Sequence, residues 1–437
     1  MTSRGKWLGR LAPAAMLVTS TAAAAGPLVI DKGDTAWMLV STLLVLLMIV
    51  PGLALFYGGL VRAKNLLSIF SQVMGITALT ILVWVGWGYS LAFTDGSALV
   101  GGLSKLGLAG VGPSSVVATF SEGVGIPELV FVSFQMTFAA ITAALIVGGL
   151  AERVRFSAIM LFTLLWLTIV YAPVAHLVWA SRGLIFNIGA LDFAGGTVVH
   201  VNSGVAGLIG VWFAGSRLGF QREPMPPHSL ALSLVGAGLL WVGWFGFNAG
   251  SALEANGTAA VAMLNTFVAP AGGIVAWMGI ERLRAGKPSL LGGASGAVAG
   301  LVGVTPAAGT SGPLGAILLG AASALACYTF IVLVKHRLKL DDSLDVFGIH
   351  GMGGIVGSVG TGIVTSPVLG GYGGAEYSIL PQTAVQVGAV LIAIAWAAPG
   401  SALCFFLVKR TIGLRHAEEA ERVGLDLVDH GERAYNL

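Results

Sequence analysis

Apolar residues occupy long, nearly unbroken runs of this chain, and polar positions collect between the runs. A helix that crosses a bilayer needs about 20 predominantly apolar residues. Eleven stretches meet that length, near 35–60, 67–93, 126–150, 156–179, 194–215, 229–250, 258–281, 289–310, 313–334, 345–366 and 383–408. The pattern predicts an all-α integral membrane protein with eleven transmembrane helices. The 64 glycines lie mostly inside these runs. Small residues let membrane helices approach closely, so a tightly packed bundle without a separate soluble domain is expected.

Composition agrees. Apolar residues make up 56% of the chain and charged residues 10%, against about a quarter charged in a soluble domain. The net charge of +3 gives no ground for a nucleic-acid partner. Cys327 and Cys404 both fall in apolar runs, which excludes a disulfide framework or thiolate metal site.

The placement of basic residues carries more information. With the mature N-terminus outside, the cytoplasmic loops hold Arg62, Lys64, Arg153, Arg155, Arg217, Arg222, Arg282, Arg284, Lys287, Lys335, Arg337 and Lys339. The external segments hold only Lys32, Lys105 and Arg182. Lys and Arg favour cytoplasmic loops, so the chain reads as N-out and C-in. Residues 1–25 read as a cleavable signal peptide: Arg4, Lys6 and Arg10 precede a short apolar stretch that ends in alanines before Gly26. Residues 26–408 then form the membrane domain, and 409–437 form a charged cytoplasmic tail. A Sec-type signal places the protein in a bacterial-type inner membrane.

The spans contain few titratable groups, and His200 is one of them. It begins "HVNSGVAGLIG" in the fifth span, and His350 begins "HGMGGIVGSVG" in the tenth. Both follow H-x-x-x-G-x-x-G-x-x-G, aligning Gly204, Gly207 and Gly210 with Gly354, Gly357 and Gly360. Five spans separate the copies, so they run in opposite directions, and inverted repeats of this kind place a shared site near the midplane. His200 lies eight residues after Asp192, a candidate cap of the fifth helix, about 12 Å down at the helical rise. His350 lies five residues after Asp345, about 8 Å up from the other face. The two rings are expected to meet.

Two neutral imidazoles can hydrogen-bond each other and still offer a polar edge to a small solute, and burial favours the neutral form. A metal site is the competing use. Zinc takes three or four ligands, and no Cys, Asp or Glu shares the predicted depth, so neither a metal nor any other cofactor is expected. Ionisable groups inside spans are usually functional, and a path otherwise walled by aliphatics and aromatics would pass a small neutral molecule and repel hydrated ions. "FQMTF" puts Phe134 and Phe138 on one helical face, and "WVGWFGFNAGS" does the same for Trp244, Phe247 and Ser251. Each aromatic alone suits core packing. Together at the outer ends of their spans they suit a cation–π cup for an ammonium-type cation.

The blocks "ALDFAGGTVVHVNSG", "WFGFNAGS", "FQMTF", "LAERVRFSA", "PGLALFYGGLVRAKN", "GLVGVTPAAG" and "DVFGIHGMGGIVG" resemble the ammonium transporter (Amt) family of the Amt/Mep/Rh superfamily. The resemblance runs from about residue 33 to the C-terminus. It implies a homotrimer with one pore per subunit and an inverted repeat relating helices 1–5 to 6–10. It assigns Phe134, Trp179 and Ser251 to an external recruitment site, Phe138 and Phe247 to a stacked gate, and His200, His350 and Trp244 to the pore lining. Asp192 matches an aspartate that supports the recruitment site without touching the ion. The stretch from Trp179 to Asp192 runs slightly longer than the family pattern and carries an unusual Arg182. The implied activity is uptake of ammonium, with methylammonium as an analogue. The implied partner is a PII-type signal protein at the cytoplasmic tail. Rival readings are an Rh-type gas channel for NH3 or CO2, an ammonium sensor acting through a cytoplasmic partner, and a histidine metalloenzyme. No nucleophile and general base occur at usable spacing, so an enzyme is not expected.

Overall fold

The computed structural model describes residues 28–435. The expected signal peptide lies outside the described residues. Eleven helices are long and apolar enough to cross a membrane: α1 (Lys32–Leu60), α2 (Ala63–Phe93), α3 (Glu128–Leu150), α4 (Phe156–Asn187), α5 (Gly196–Ala214), α6 (Leu230–Gly250), α7 (Gly257–Ala285), α8 (Leu290–Ala307), α9 (Pro313–Lys335), α10 (Phe347–Val364) and α11 (Ile379–Thr411). They match the eleven runs read from sequence, since in a bilayer each backbone group must be satisfied within its own helix. The helix of α4 breaks after Trp179 and resumes for one turn at Leu184–Asn187.

One element was not anticipated. A small sheet of β1 (Val29–Ile30), β2 (Val116–Ala118) and β3 (Val124–Pro127) lies at the ends of α1 and α3. Strand β3 sits between the other two, parallel to β1 and antiparallel to β2. The strands are two to four residues long and carry no apolar alternation to read.

Alternating spans give the bundle two faces. One holds an open vestibule, described below. The other gathers the loops that carry Arg62, Arg153 and Arg217, together with the tail. There Glu152, in a left-handed conformation at φ 72°, is buried. It accepts hydrogen bonds from the backbone N–H and Nε of Arg62, from Asn65 Nδ2 and from Arg217, each at 2.9 Å. Arg217 in turn forks onto Asp341 at 2.8 and 2.9 Å. Arg153 is fully buried and donates to the carbonyls of Gly149, Ala151 and Asp341 and to Ser343 Oγ.

The tail docks on this network. It forms α12 (Glu418–Val423) and α13 (Leu425–His430). Glu421 receives the Arg415 guanidinium. Asn65 Oδ1 accepts from the Leu425 N–H at 2.9 Å, and Asp426 accepts from the Ser68 N–H at 2.7 Å. The Asp426–Ser68 and Leu425–Asn65 bonds hold the tail to the bundle and the Arg415–Glu421 pair ties the tail to itself, which fixes the path of a segment too short to fold alone.

The Glu152 carboxyl would be raised by burial, yet the Arg217 and Arg62 guanidiniums beside it hold it down at about 2. A carboxyl depressed in the folded state contributes its stability above the unfolded value and loses it as pH falls through the folded one. Glu152→Gln is expected to cost about 3–5 kcal/mol at neutral pH. The gap in melting temperature between wild type and variant, measured in detergent, should shrink as pH falls from 4.5 towards about 2. A gap that stays constant across that window would show that Glu152 is not an ionised partner.

Candidate functional site

The fifth and tenth spans each open with a π-helical turn, Gly196–Val201 and Phe347–Gly351, and each turn carries one of the histidines. Such turns are rare and gather at functional sites. Asp192 caps the first: its two carboxylate oxygens accept the N–H groups of Gly195, Gly196, Thr197 and Val198 at 2.5–3.1 Å. Asp342, fully buried, caps the second through the N–H groups of Val346 and Phe347 at 2.9 and 2.8 Å. The depth of His350 is therefore counted from Asp342 and not from Asp345, which adopts a left-handed conformation at φ 61° before the helix begins. Counted this way, each histidine stands eight residues beyond its capping carboxylate.

The repeat glycines explain why the rings meet. A Cβ at Gly204 would lie 2.3 Å from the backbone of Gly351, and one at Gly354 would lie 2.9 Å from that of Gly196 and Val201. Helices α5 and α10 thus cross at backbone contact, each using the glycine four residues after its histidine. The Nδ1 atoms of His200 and His350 are 3.2 Å apart, and the rings are close to parallel at 19°. Between two neutral rings one Nδ1 must donate and the other accept. The far nitrogens then differ, one an acceptor and one an N–H donor. His200 Nε2 is buried without a partner. Trp244 stacks on His200 at 5.4 Å, its indole N–H held by Thr305 Oγ1 at 2.9 Å.

Next along the path, Phe138 and Phe247 stack at 4.2 Å with 13° between their planes. Beneath them is a narrow cavity of about 10 Å³, lined by His200, His350, Trp244 and aliphatics such as Ile141, Leu145 and Val298. That is space for about one water-sized molecule. No charged side chain lines it. On the other side of the phenylalanines opens a vestibule of about 320 Å³, lined by Phe134, Phe138, Trp179, Ser251, Asp192 and others. Trp179 meets Phe138 edge-on at 5.8 Å, and its indole N–H donates to the Asp192 carbonyl at 3.0 Å. Ser251 Oγ donates to the Phe247 carbonyl at 2.8 Å, which leaves its lone pairs for a ligand. Burial pushes the Asp192 carboxyl up to about 6 against the downward pull of its four backbone N–H donors.

All nine residues singled out from the sequence line these two adjoining cavities. Arg182, in the stretch after Trp179, pairs with Asp95 at 3.1 Å on the surface. Sequence reasoning missed Gln386 on α11. Its Oε1 accepts from the Leu191 N–H and its Nε2 donates to the Leu191 carbonyl, both at 2.7 Å, which clamps the loop beside Asp192. A glutamine inside an apolar span was the signal available. His176, the third span histidine, lies elsewhere. Its two nitrogens sit 2.9 Å from the carbonyls of Ala92 and Ser97, tying α4 to the end of α2 and the loop after it. Among the described residues no group of three His, Cys, Asp or Glu side chains could hold a metal ion.

Comparison with known proteins points the same way. Residues 36–435 match the model of the Ammonium Transporter Family. The chain belongs to the ammonium transporter family. It is 46% identical to the ammonium transporter of Aquifex aeolicus, over 93% of this chain and 94% of that one. It is 44% identical to the ammonium transporter of Bacillus subtilis, over 93% and 99%. The crystal structure of Saccharomyces cerevisiae Mep2 superposes with a TM-score of 0.79 at 34% identity, covering 89% of this chain and 88% of that one. A sensor Amt protein superposes at 0.84 with 25% identity, covering 91% and 98%. In this member of the ammonium transporter family the two histidines stand on the crossing helices α5 and α10, and the aromatics around them on α3, α4 and α6.

Gly204→Val would force α5 and α10 apart at their contact. Overpacking of this kind costs about 1–3 kcal/mol. The variant is expected to melt several degrees below wild type in detergent. Gly238→Val serves as a comparison, since a Cβ at Gly238 meets nothing within 4 Å, and it should melt close to wild type. Equal melting of the two variants would show that the crossing tolerates a side chain.

Proposed function

We propose that this protein recruits ammonium at the aromatic vestibule, where the ion gives up a proton to vestibule water before the phenylalanine pair, and conducts ammonia past His200 and His350. The observation that carries the reading is the imidazole pair, 3.2 Å apart, beneath two stacked phenylalanines in an otherwise apolar passage. Phe134 and Trp179 offer ring faces worth about 0.5–2 kcal/mol each to a cation, and Ser251 offers a lone pair. Those attractions hold an ion at the vestibule but fall far short of the cost, of order 20 kcal/mol by idealised Born estimates, of taking it bare into low dielectric. Ammonia carries no such cost. Its N–H groups and lone pair match the acceptor and donor edges of the imidazole pair.

Phe138 and Phe247 act as the gate, Trp244 orients His200, and Asp192 holds the recruitment loop through its backbone contacts. The face bearing the basic loops and the tail is cytoplasmic, with the N-terminus outside after removal of the signal peptide in a bacterial-type inner membrane. The subunits assemble as a homotrimer, and the tail face receives a PII-type regulator. The role is transport and not catalysis.

The test is uptake into proteoliposomes. Wild type should take up methylammonium at micromolar concentrations, and His200→Leu should abolish uptake while still showing a cooperative melt in detergent. Undiminished uptake by that variant would overturn the pathway. Failure of the wild type to take up methylammonium would instead favour a neutral-gas channel. Voltage clamp under an ammonium gradient then assigns the proton. A sustained current means it travels through the protein, and its absence means ammonia crosses alone.

A further inference from the structure

Gln135 stands between Phe134 and Phe138 in sequence, and its side chain lines the vestibule. It is only 9% exposed, and its Oε1 has no hydrogen-bond partner. A buried acceptor left unpaired carries the full penalty of its desolvation. Among the described residues lining the vestibule it is the only buried side-chain oxygen or nitrogen without a partner. Four other polar groups of the vestibule are engaged. Asp192 accepts four backbone N–H groups, and the Trp179 indole donates to the Asp192 carbonyl. Ser251 has given its proton to Phe247, and Thr310 pairs with Thr365.

An ammonium ion has four N–H donors. The ring faces answer its charge but are weak hydrogen-bond acceptors, and Ser251 supplies one acceptor oxygen. Resting on the recruitment reading above, we propose that Gln135 is the second acceptor of that site. Turning the amide about its terminal bond exchanges oxygen and nitrogen in the same space, so the carbonyl oxygen reaches a cation in the cup. Methylammonium has one donor fewer and a methyl group to place. Its three remaining N–H groups still suffice for both oxygens, so Gln135 serves either ion and its loss weakens both.

The experiment compares wild type, Gln135→Met, Gln135→Glu and Ser251→Ala in proteoliposomes, with ammonium and methylammonium as separate substrates. Gln135→Met keeps the chain length and removes the acceptor. Its half-saturation for ammonium should rise about tenfold, with maximal rate preserved, the signature of lost binding common to ground and transition states. Its half-saturation for methylammonium should rise in parallel. Gln135→Glu keeps an acceptor and should restore tight half-saturation. If Ser251→Ala weakens ammonium binding while Gln135→Met saturates as wild type does, Gln135 is no acceptor and the recruitment site survives without it. If neither substitution changes half-saturation, the recruitment reading itself fails. Melting in detergent reports folding of each variant. Should Gln135→Met not assemble, Gln135→Leu takes its place in the same comparison, with the same outcomes.

Discussion

Two imidazoles can share a hydrogen bond in the middle of an apolar bundle only if the helices that carry them cross almost without side chains between. The Nδ1 contact of 3.2 Å depends on Gly204 lying against Gly351, and on Gly354 lying against Gly196 and Val201. Backbone contact of this kind is the usual way membrane helices gain packing energy, since lipid offers no hydrophobic drive between them. Here it also fixes the chemistry. Neutral imidazoles bonded through Nδ1 must take opposite tautomers, so the pair presents a donor and an acceptor whichever ring holds which. Widening the crossing would leave buried ring nitrogens without partners, at a cost that favours closure.

That pair makes sense only beside what surrounds it. The vestibule answers positive charge with ring faces and the oxygen of Ser251. The passage beyond the stacked phenylalanines answers it with nothing but two neutral rings and aliphatics. On the proposed reading the boundary between these environments is where the proton leaves, because the free energy of the cation rises steeply there while that of ammonia does not. The phenylalanine pair therefore acts less as a door than as the edge of a dielectric step. A void of about 10 Å³ also leaves no room for the hydration shell that an ion would need to bring with it.

The eleven spans and the meeting of His200 with His350 were legible because each is written in a local pattern: apolar run length, loop charge, and a glycine spacing repeated in two places. The aromatic and serine positions that line the two cavities were singled out from helical spacing and from resemblance. What escaped reading depends on partners far apart in sequence. Glu421 and Asp426 look like a solvated charged tail until Arg415, Asn65 and Ser68 are seen around them. Gln386 clamps Leu191 across 195 residues. Asp342 and Asp345 are equally good caps by composition, and only the left-handed turn at Asp345 decides between them. The short sheet carries no periodicity at all, and its strands exist because the loop ends they join are held by α1 and α3.

The inverted repeat gives both halves the same device, a carboxylate cap, a π-helical turn, a histidine and a crossing glycine, yet the two mouths differ. Beyond Asp192 the chain opens into an aromatic vestibule, whereas beyond Asp342 it runs into the ion pairs of Asp341, Arg217 and Glu152 and the docked tail. Symmetry in the scaffold sets a histidine pair that either half could approach. On the proposed reading, asymmetry in the decoration decides which side can hold a cation before it sheds its proton. Such asymmetry alters rates of capture and release from the two sides without moving the equilibrium, since a site that only binds cannot drive a gradient. On that reading net uptake draws on the ion gradient itself, and the protein's own contribution is to make one face the better collector.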